Sequence, residues 1–484
     1  MPPVPEEHVS HIGLFNKWAI TNPGSFMHIV QKDLFLQICV SLFIASTLFV
    51  GCVKVSSPEI NTTWTKHTIT PVNAVPSGQE DSTLPPETNS AYAVTYQGLD
   101  GNRVLAGTGS VHFETIDITL QGKPVWIVAS AFQQSSIWYV ILENGRVQAF
   151  QITSSSVQEL RPSINSLPVG MPPVLIVDEE HSFLPNPSEN SSVLTHSIFL
   201  QNGIEVFIDD AQQLHLKSEN EEILKGIKAL PDARILADEN DRILFLSDPT
   251  GYYAHAVLGD AIEAASITLI DAKNSPYQVI KINPEAGDVF EGISPIWVDM
   301  DLDGTREIIV TQSNEAVGAR IVVYREDGSV LAESAPIGKG FRWIHQIAAA
   351  QFIGGGPLEL AVVRTPHIGG EVEILGLTED RLDVQASLPG YSTHKLGSRN
   401  LDTALAADFN GDGFIELIAP GQDQTNLSGI QFLTGELIPV WTQRLDAQLS
   451  TNLVSIAFAD QQLLLGVGTE DNSLRIWIAD RSSN

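Results

Sequence analysis

The sequence predicts an all-β fold, a seven-bladed β-propeller of four-stranded antiparallel sheets that follows a signal segment and a disordered linker. Three observations carry that expectation. Short apolar runs set between turn residues recur from about residue 96 onward at a period of roughly 50–60 residues, the size of one four-stranded blade. Helical periodicity is nearly missing over the same span, apart from candidate short helical turns near 220–230 and 260–265. Of the 484 residues, 43% are hydrophobic and 18% charged, which supplies a large core and argues against wholesale disorder.

The amino-terminal stretch stands apart from the repeats. Leu34 to Val50 is an uncharged run of 17 residues, LFLQICVSLFIASTLFV. A spanning helix needs about 20 apolar residues, so the length suits the core of an export signal better. The run closes on Leu48-Phe49-Val50-Gly51-Cys52, which resembles the lipobox of bacterial lipoproteins and implies lipid attachment at Cys52. The other cysteine, Cys39, lies in the part that would be removed, and two cysteines exclude a disulfide scaffold or a Cys-rich zinc site. Met27 stands just ahead of the run. The expected division is therefore residues 1–26 an over-extended start, 27–51 the signal peptide, 52–95 a linker and 96–484 the propeller. The alternative for the apolar run is an uncleaved single N-terminal transmembrane anchor. Either way the remainder is expected at the cell envelope or extracellular surface. The linker, SSPEINTTWTKHTITPVNAVPSGQEDSTLPPETNS, is rich in Ser, Thr and Pro and has no periodicity. Such a chain buries too little apolar surface to offset its ordering entropy.

The clearest unit opens at Ser294: SPIWV, a polar turn, IIVTQ, then ARIVVYREDGSVLAES folded about an Asp-Gly turn. Units at His345, Thr403 and Leu453 repeat the order, and weaker copies precede them. Inner strands are expected to begin near Val125, Val174, Arg234, Pro295, Gln346, Ala404 and Val454, seven in all. A radial ring of such sheets leaves no long edge open. A strand around Tyr92 to Val104 is expected to close the ring against the final SLRIWIAD.

The chemistry lies in two turns. Asp299, Asp301 and Asp303 alternate, Gly304 follows, and Glu307 takes the ninth place; Asp408, Asn410, Asp412, Gly413 and Glu416 repeat the arrangement. Alternating oxygen ligands about a glycine bend suit a hard cation of flexible geometry such as Ca²⁺, with the backbone carbonyl of Thr305 or Phe414 and the ninth-position acid completing the shell. An EF-hand is excluded, because its twelfth-position Glu is replaced by Val310 and Ala419. These turns, each between two apolar strands, resemble the calcium loops of FG-GAP/VCBS repeats in integrin-α-like propellers. The resemblance implies that the loop joins the first two strands of a blade, that Ca²⁺ is structural, and that the propeller serves adhesion or ligand recognition. The unit at His345 keeps Gly354, Gly356 and Glu359 but has Gln351, Ile353 and Gly355 where the ligands should stand, so no metal is assigned to it. Earlier, Asp238 and Asn240 match the first two places and Arg242 occupies the third.

Lys plus Arg number 27 against 58 Asp plus Glu, a formal charge of −31 that would be repelled by nucleic acid. His255 and the Arg342-Trp343-His345 stretch fall near strand starts, where propellers often place contact residues, although packing is the commoner role. No nucleophile elbow, zinc-protease helix, phosphate loop or dinucleotide fingerprint occurs. Two functions follow: a non-catalytic, lipid-anchored propeller binding a protein or glycan ligand, with calcium in two blades, or a secreted propeller enzyme acting on polysaccharide.

Overall fold

The computed structural model describes residues 91–479 apart from 111–112, 154–155, 219–220, 274–275 and 459. The expected signal peptide, Cys52 and the linker up to residue 90 lie outside the described residues. The chain divides into two units, 1–62 and 63–484, and every described residue belongs to the second. Among the described residues there is no helix, and the two candidate helical turns fall on or beside strands, Glu221–Lys228 and Glu263–Asp271.

The strands form eight groups in chain order. Sheet 1 is the meander Pro124–Phe132, Ser135–Leu142, Val147–Ile152 and Val157–Leu160. Sheet 2 has three strands, Ala91–Val94, Val174–Val177 and Ser182–Phe183. Sheet 3 is Ile198–Phe199, Glu205–Ile208, Gln213–Ser218 and Glu221–Lys228, and sheet 4 is Leu236–Ala237, Arg242–Thr250, Glu263–Asp271 and Gln278–Ile282. Sheet 5 is Val289–Val298, Glu307–Asn314, Gly318–Arg325 and Val330–Ser334, and sheet 6 is Ile344–Ala350, Glu359–Arg364, Glu371–Thr378 and Arg381–Pro389. Sheet 7 is Leu405–Asp408, Glu416–Pro420, Asn426–Leu433 and Glu436–Arg444, with Val104–Thr108 added in parallel on its inner edge. Sheet 8 is Val454–Ala457, Leu463–Thr469 and Ser473–Ala479, completed on its outer edge by Phe113–Thr119. Single contacts at Ala264–Phe290 and a short parallel pairing of Glu333–Ser334 with Arg381–Leu382 join sheets 4 to 6 into one twelve-stranded ladder.

The packing order is cyclic. Apolar side chains fill the space between sheets 8 and 1 (Trp138, Ile127, Ile456, Ile476), sheets 1 and 2 (Trp126, Tyr139, Leu175), and sheets 2 to 5 in succession (Val174, Ile198, Phe245, Phe290). Further clusters lie between sheets 5 and 6, 6 and 7, and 7 and 8. Each sheet is thus covered on both faces by its neighbours, which is why strands such as Ser135–Leu142 and Ile344–Ala350 are buried along their whole length. Antiparallel meanders packed in cyclic succession are a β-propeller.

Two expectations need correction. The unit expected at Val174 is two: Val174–Val177 pairs with Ala91–Val94, and Ile198 begins a separate four-stranded sheet. The described residues therefore hold six four-stranded groups, one five-stranded and one three-stranded, eight in all and not seven blades alone. The reason is the polar, Pro-bearing connection 184–197, too long for a hairpin within one meander. The strand against Ser473–Ala479 is Phe113–Thr119, not a segment within 92–104.

Close packing in this ring leaves no slack at Gly466. A Cβ built there would stand 2.2 Å from the buried Trp138 ring. Gly466→Ala is expected to destabilise the protein by about 1–3 kcal/mol, the usual cost of overpacking. Urea unfolding measures it, and an unchanged midpoint would mean that the Trp138 ring has room to move.

Candidate functional site

Because each sheet is a meander, its turns separate by end. Those after the first and third strands lie at one end, here the lower; those after the second strand, and the links between sheets, lie at the upper end. Both acidic turns are first turns.

In the turn of sheet 5, oxygen atoms of Asp299, Asp301 and Glu307 lie within 4.8 Å of one another. Asp299 accepts the N–H groups of Asp303 (3.0 Å) and Gly304 (2.9 Å), and Asp301 accepts Asp303 N–H at 3.2 Å. Leu302 and Gly304 have φ of 63° and 93°, the left-handed bend that brings the acids together. Glu307 is buried at the start of the second strand and accepts Met300 N–H at 2.8 Å. Burial, then the charges of Asp301, Asp303 and Asp299, push its carboxyl up to about 7. Asp303 accepts Thr305 N–H at 2.8 Å and is outside the group of three.

The turn of sheet 7 is built on the same frame. Asp408 accepts Gly411 and Gly413 N–H at 2.7 and 3.0 Å, and buried Glu416 accepts Phe409 N–H at 2.6 Å. Burial, then Asp408 and Asp412, push Glu416 up to about 7. Here Asp412 is engaged elsewhere, by Asn410 Nδ2 at 3.1 Å and Gln431 Nε2 at 2.9 Å. Among the described residues only the first turn gathers three acids. The corresponding turn of sheet 6 keeps the frame and the ninth-place acid but lacks the aspartates: Glu359 accepts Ile353 N–H and Gln351 accepts Gly355 N–H. In sheet 4 a guanidinium stands in the third ligand place, with Arg242 Nε 2.7 Å from Asp238.

The centre of the ring is occupied by the chain itself. From Thr95 to Arg103 one segment crosses the inner strands in turn. Tyr96 Oη donates to Ile235 O (3.1 Å) and Gln97 Nε2 to Ser455 O (2.6 Å), while Leu99 O and Asp100 O accept Ala237 and Trp297 N–H at 2.9 Å. Asn102 exchanges both amide bonds with Ala349 at 2.9 Å, and Arg103 O accepts Ala406 N–H at 2.8 Å. Asn452 links Thr95 O to both backbone groups of Ile127.

Beside this segment lies a buried charge cluster that no local motif announces. Asp402 accepts both guanidinium nitrogens of Arg234, one at 2.7 Å, together with Thr95 Oγ1 (3.0 Å), and Arg103 stands 3.2 Å away. Arg234 also covers the Tyr96 ring at 4.8 Å. Burial lowers Arg103 to about 10 against the raising effect of Asp402. Two cavities flank the cluster, of about 30 Å³ (Thr95, His196, Asp232, Arg234) and about 10 Å³ (Arg103, Trp343, His345). A single water needs about 10–15 Å³, so these are water-sized.

The weaker sequence candidates divide. Trp343 and His345 are buried, His345 bonding Thr393 Oγ1 at 2.8 Å, whereas Arg342 is exposed. His255 Nδ1 pairs with Glu291, whose other oxygen holds Ser313 Oγ. Glu263 lies close enough for the charge of Glu291 to raise its pKa, burial being the larger cause. Two acids and a histidine therefore do meet, but the Glu291 side chain is fully buried. An open groove of about 820 Å³ lies between sheets 6 and 7, lined by Tyr391, Gln422, Asp423, Asn426 and Arg444.

No family model and no curated protein matches the sequence. Among solved structures the chain is similar to the WD40 β-propeller domain of Doa1, with 10% identity, 81% of this chain and 98% of that one covered, and a TM-score of 0.39. It is similar to the Dos1 propeller at 10% identity, 78% and 97% coverage and a TM-score of 0.47. The WD40 domain of Toxoplasma gondii coronin matches at 11%, 78% and 90%, with a TM-score of 0.39. The propeller description itself rests on the chain's own strand pairings and cores.

Proposed function

We propose that this chain is a non-catalytic binding scaffold, a propeller held at the cell surface by a lipid on Cys52, with two acidic turns rigidified by Ca²⁺. The observation that supports a scaffold most directly is the filled centre: residues 95–103 occupy the place where propeller enzymes converge their catalytic side chains. The partner is a protein. The polar groove beside Tyr391 favours a second reading, a glycan.

Kinship with FG-GAP/VCBS repeats is part of the proposal and rests on the two nine-residue turns. The donor set fits the ion: hard oxygens alone, on a glycine bend, with a buried acid at the ninth place. Asp299, Asp301, Asp303, Glu307 and the Thr305 carbonyl would hold one ion. Asp408, Asn410, Asp412, Glu416 and the Phe414 carbonyl would hold the other. Bound there, Ca²⁺ supplies positive charge among crowded carboxylates and ties the first two strands of each sheet together.

Melting the full-length protein in calcium and in chelator tests the metal. Each site that binds only the folded chain adds about 2.7 kcal/mol at a hundredfold excess over its Kd, so the calcium sample is expected to melt higher. Superimposable curves with no bound calcium by elemental analysis would sink the assignment. The scaffold reading fails if the protein releases reducing sugar from a polysaccharide panel and Glu291→Gln abolishes that release.

A further inference from the structure

We propose that the upper end of sheets 4 to 6 is a docking surface for an acidic, amphipathic segment of a partner protein; the inference rests on the scaffold reading above and adds the face and the partner's chemistry. Four stretches meet there: 251–262 within sheet 4, 335–343 between sheets 5 and 6, 365–370 within sheet 6, and 390–401 between sheets 6 and 7. They are fastened to one another. Gly397 N–H donates to Val257 O and Thr365 N–H to Trp343 O, both at 2.9 Å, and the Tyr253 and Phe341 rings lie 5.2 Å apart. His367 and His394 meet at 3.1 Å, and Arg399 reaches Asp260 at 2.5 Å. Beneath them Val257, Leu258, Ile293, Trp343 and Leu401 form a separate buried cluster. The surface is therefore a platform and not a set of independent loop tips.

What the platform presents is apolar. Tyr252 is 81% exposed, Ile368 and Leu396 73%, and Phe341 45%, one from each stretch. Single exposed apolar residues are ordinary, but large ones on four adjoining loops mark a contact surface. Phe341 has φ of 52° next to Gly340, a conformation costly for an aromatic residue and held here by the loops around it. At the lower end, by contrast, exposed Leu302 and Phe414 sit singly on the two acidic turns.

Charge selects the partner. The whole chain carries 27 Lys and Arg against 58 acids, yet these four stretches carry Lys339, Arg342, Lys395 and Arg399 against one acid, Asp260. Arg399 is neutralised by Asp232 and Asp260 and Lys395 reaches Glu470, while Lys339 and Arg342 stand exposed on either side of Phe341. A neighbouring turn adds Glu315. An apolar platform with a basic rim, on an otherwise anionic molecule, complements a segment that alternates acids with aromatic or aliphatic residues.

Fluorescence anisotropy on the full-length protein tests this with three probes: a short peptide alternating Glu with Leu and Trp, its Lys-for-Glu counterpart, and phosphatidylglycerol vesicles. The acidic peptide is expected to bind saturably and to weaken about tenfold or more as salt rises through the screening range. Joint Phe341→Ser, Ile368→Ser and Leu396→Ser substitution, confined to exposed side chains, is expected to abolish binding, whereas Val384→Ser on an outer strand leaves it intact. Equal binding of the Lys peptide, binding of the vesicles alone, or binding indifferent to the triple substitution overturns the inference. Any of these leaves the scaffold reading standing, since that reading falls only on the polysaccharide result.

Discussion

Replacing Asp402 by Asn is expected to destabilise the protein by about 3–5 kcal/mol, the usual cost of leaving a buried charge without its partner. Asp402 has no exposed side-chain surface, and the side chains of Arg234 and Arg103 are 7% and 5% exposed. Asn has nearly the same volume, so the change removes charge and leaves shape. Two guanidinium groups would then face each other in a buried centre with no anion between them. Thr95 Oγ1 would also lose a charged acceptor, and the crossing segment would loosen where it enters the ring. Chemical denaturation measures the loss. A change below about 1 kcal/mol would mean that water reaches the cluster and screens it.

Glu263→Gln is expected to act in the opposite direction. Burial first, and then the nearby Glu291 charge, hold the Glu263 carboxyl far above the usual carboxylate range. Its folded pKa exceeds its unfolded one, so its contribution is fully present below the ordinary carboxylate pKa and is lost as pH rises toward the folded value. At neutral pH the wild-type chain must take up a proton here to fold; the Gln variant need not, and its amide oxygen can still accept Gly292 N–H. The stability gap in favour of Gln is expected to widen by about 1.4 kcal/mol per pH unit above about pH 4.5. Urea midpoints of both proteins at about pH 5 and pH 8 decide it. A gap that does not change between them would show that Glu263 is not held protonated.

The acidic turns were legible because all their information is local. Nine consecutive residues fix the alternation, the glycine bend and the buried ninth acid, and the same backbone frame recurs in sheets 5 and 7. The departure in sheet 4 was legible too: Arg242 stands in the third ligand place and pairs with Asp238. The central cluster was not legible, since Asp402 meets Arg234 across 168 residues and Thr95 across 307, and nothing near any of them marks the encounter. The ring-closing strand was misplaced for a related reason. Tyr92–Val94 and Phe113–Thr119 are both short alternating runs, and only the seven-pair register with Ser473–Ala479 distinguishes them. The exposed platform residues were passed over because an isolated Phe, Ile, Leu or Tyr in a loop carries no pattern; only their convergence gives them meaning.

The crossing segment sets a timetable for the chain's assembly. Residues 95–103 bond to strands as late as Ser455, and Phe113–Thr119 pairs with the last described strand. Contacts spanning more than three hundred positions cannot form while a ribosome is still delivering the far partner, so Phe113–Thr119 must wait, unpaired, until Ser473–Ala479 has been made. The individual meanders can form as they emerge. Locking them into a ring comes later, and in that interval the waiting segment exposes an unpaired edge that is open to misassociation.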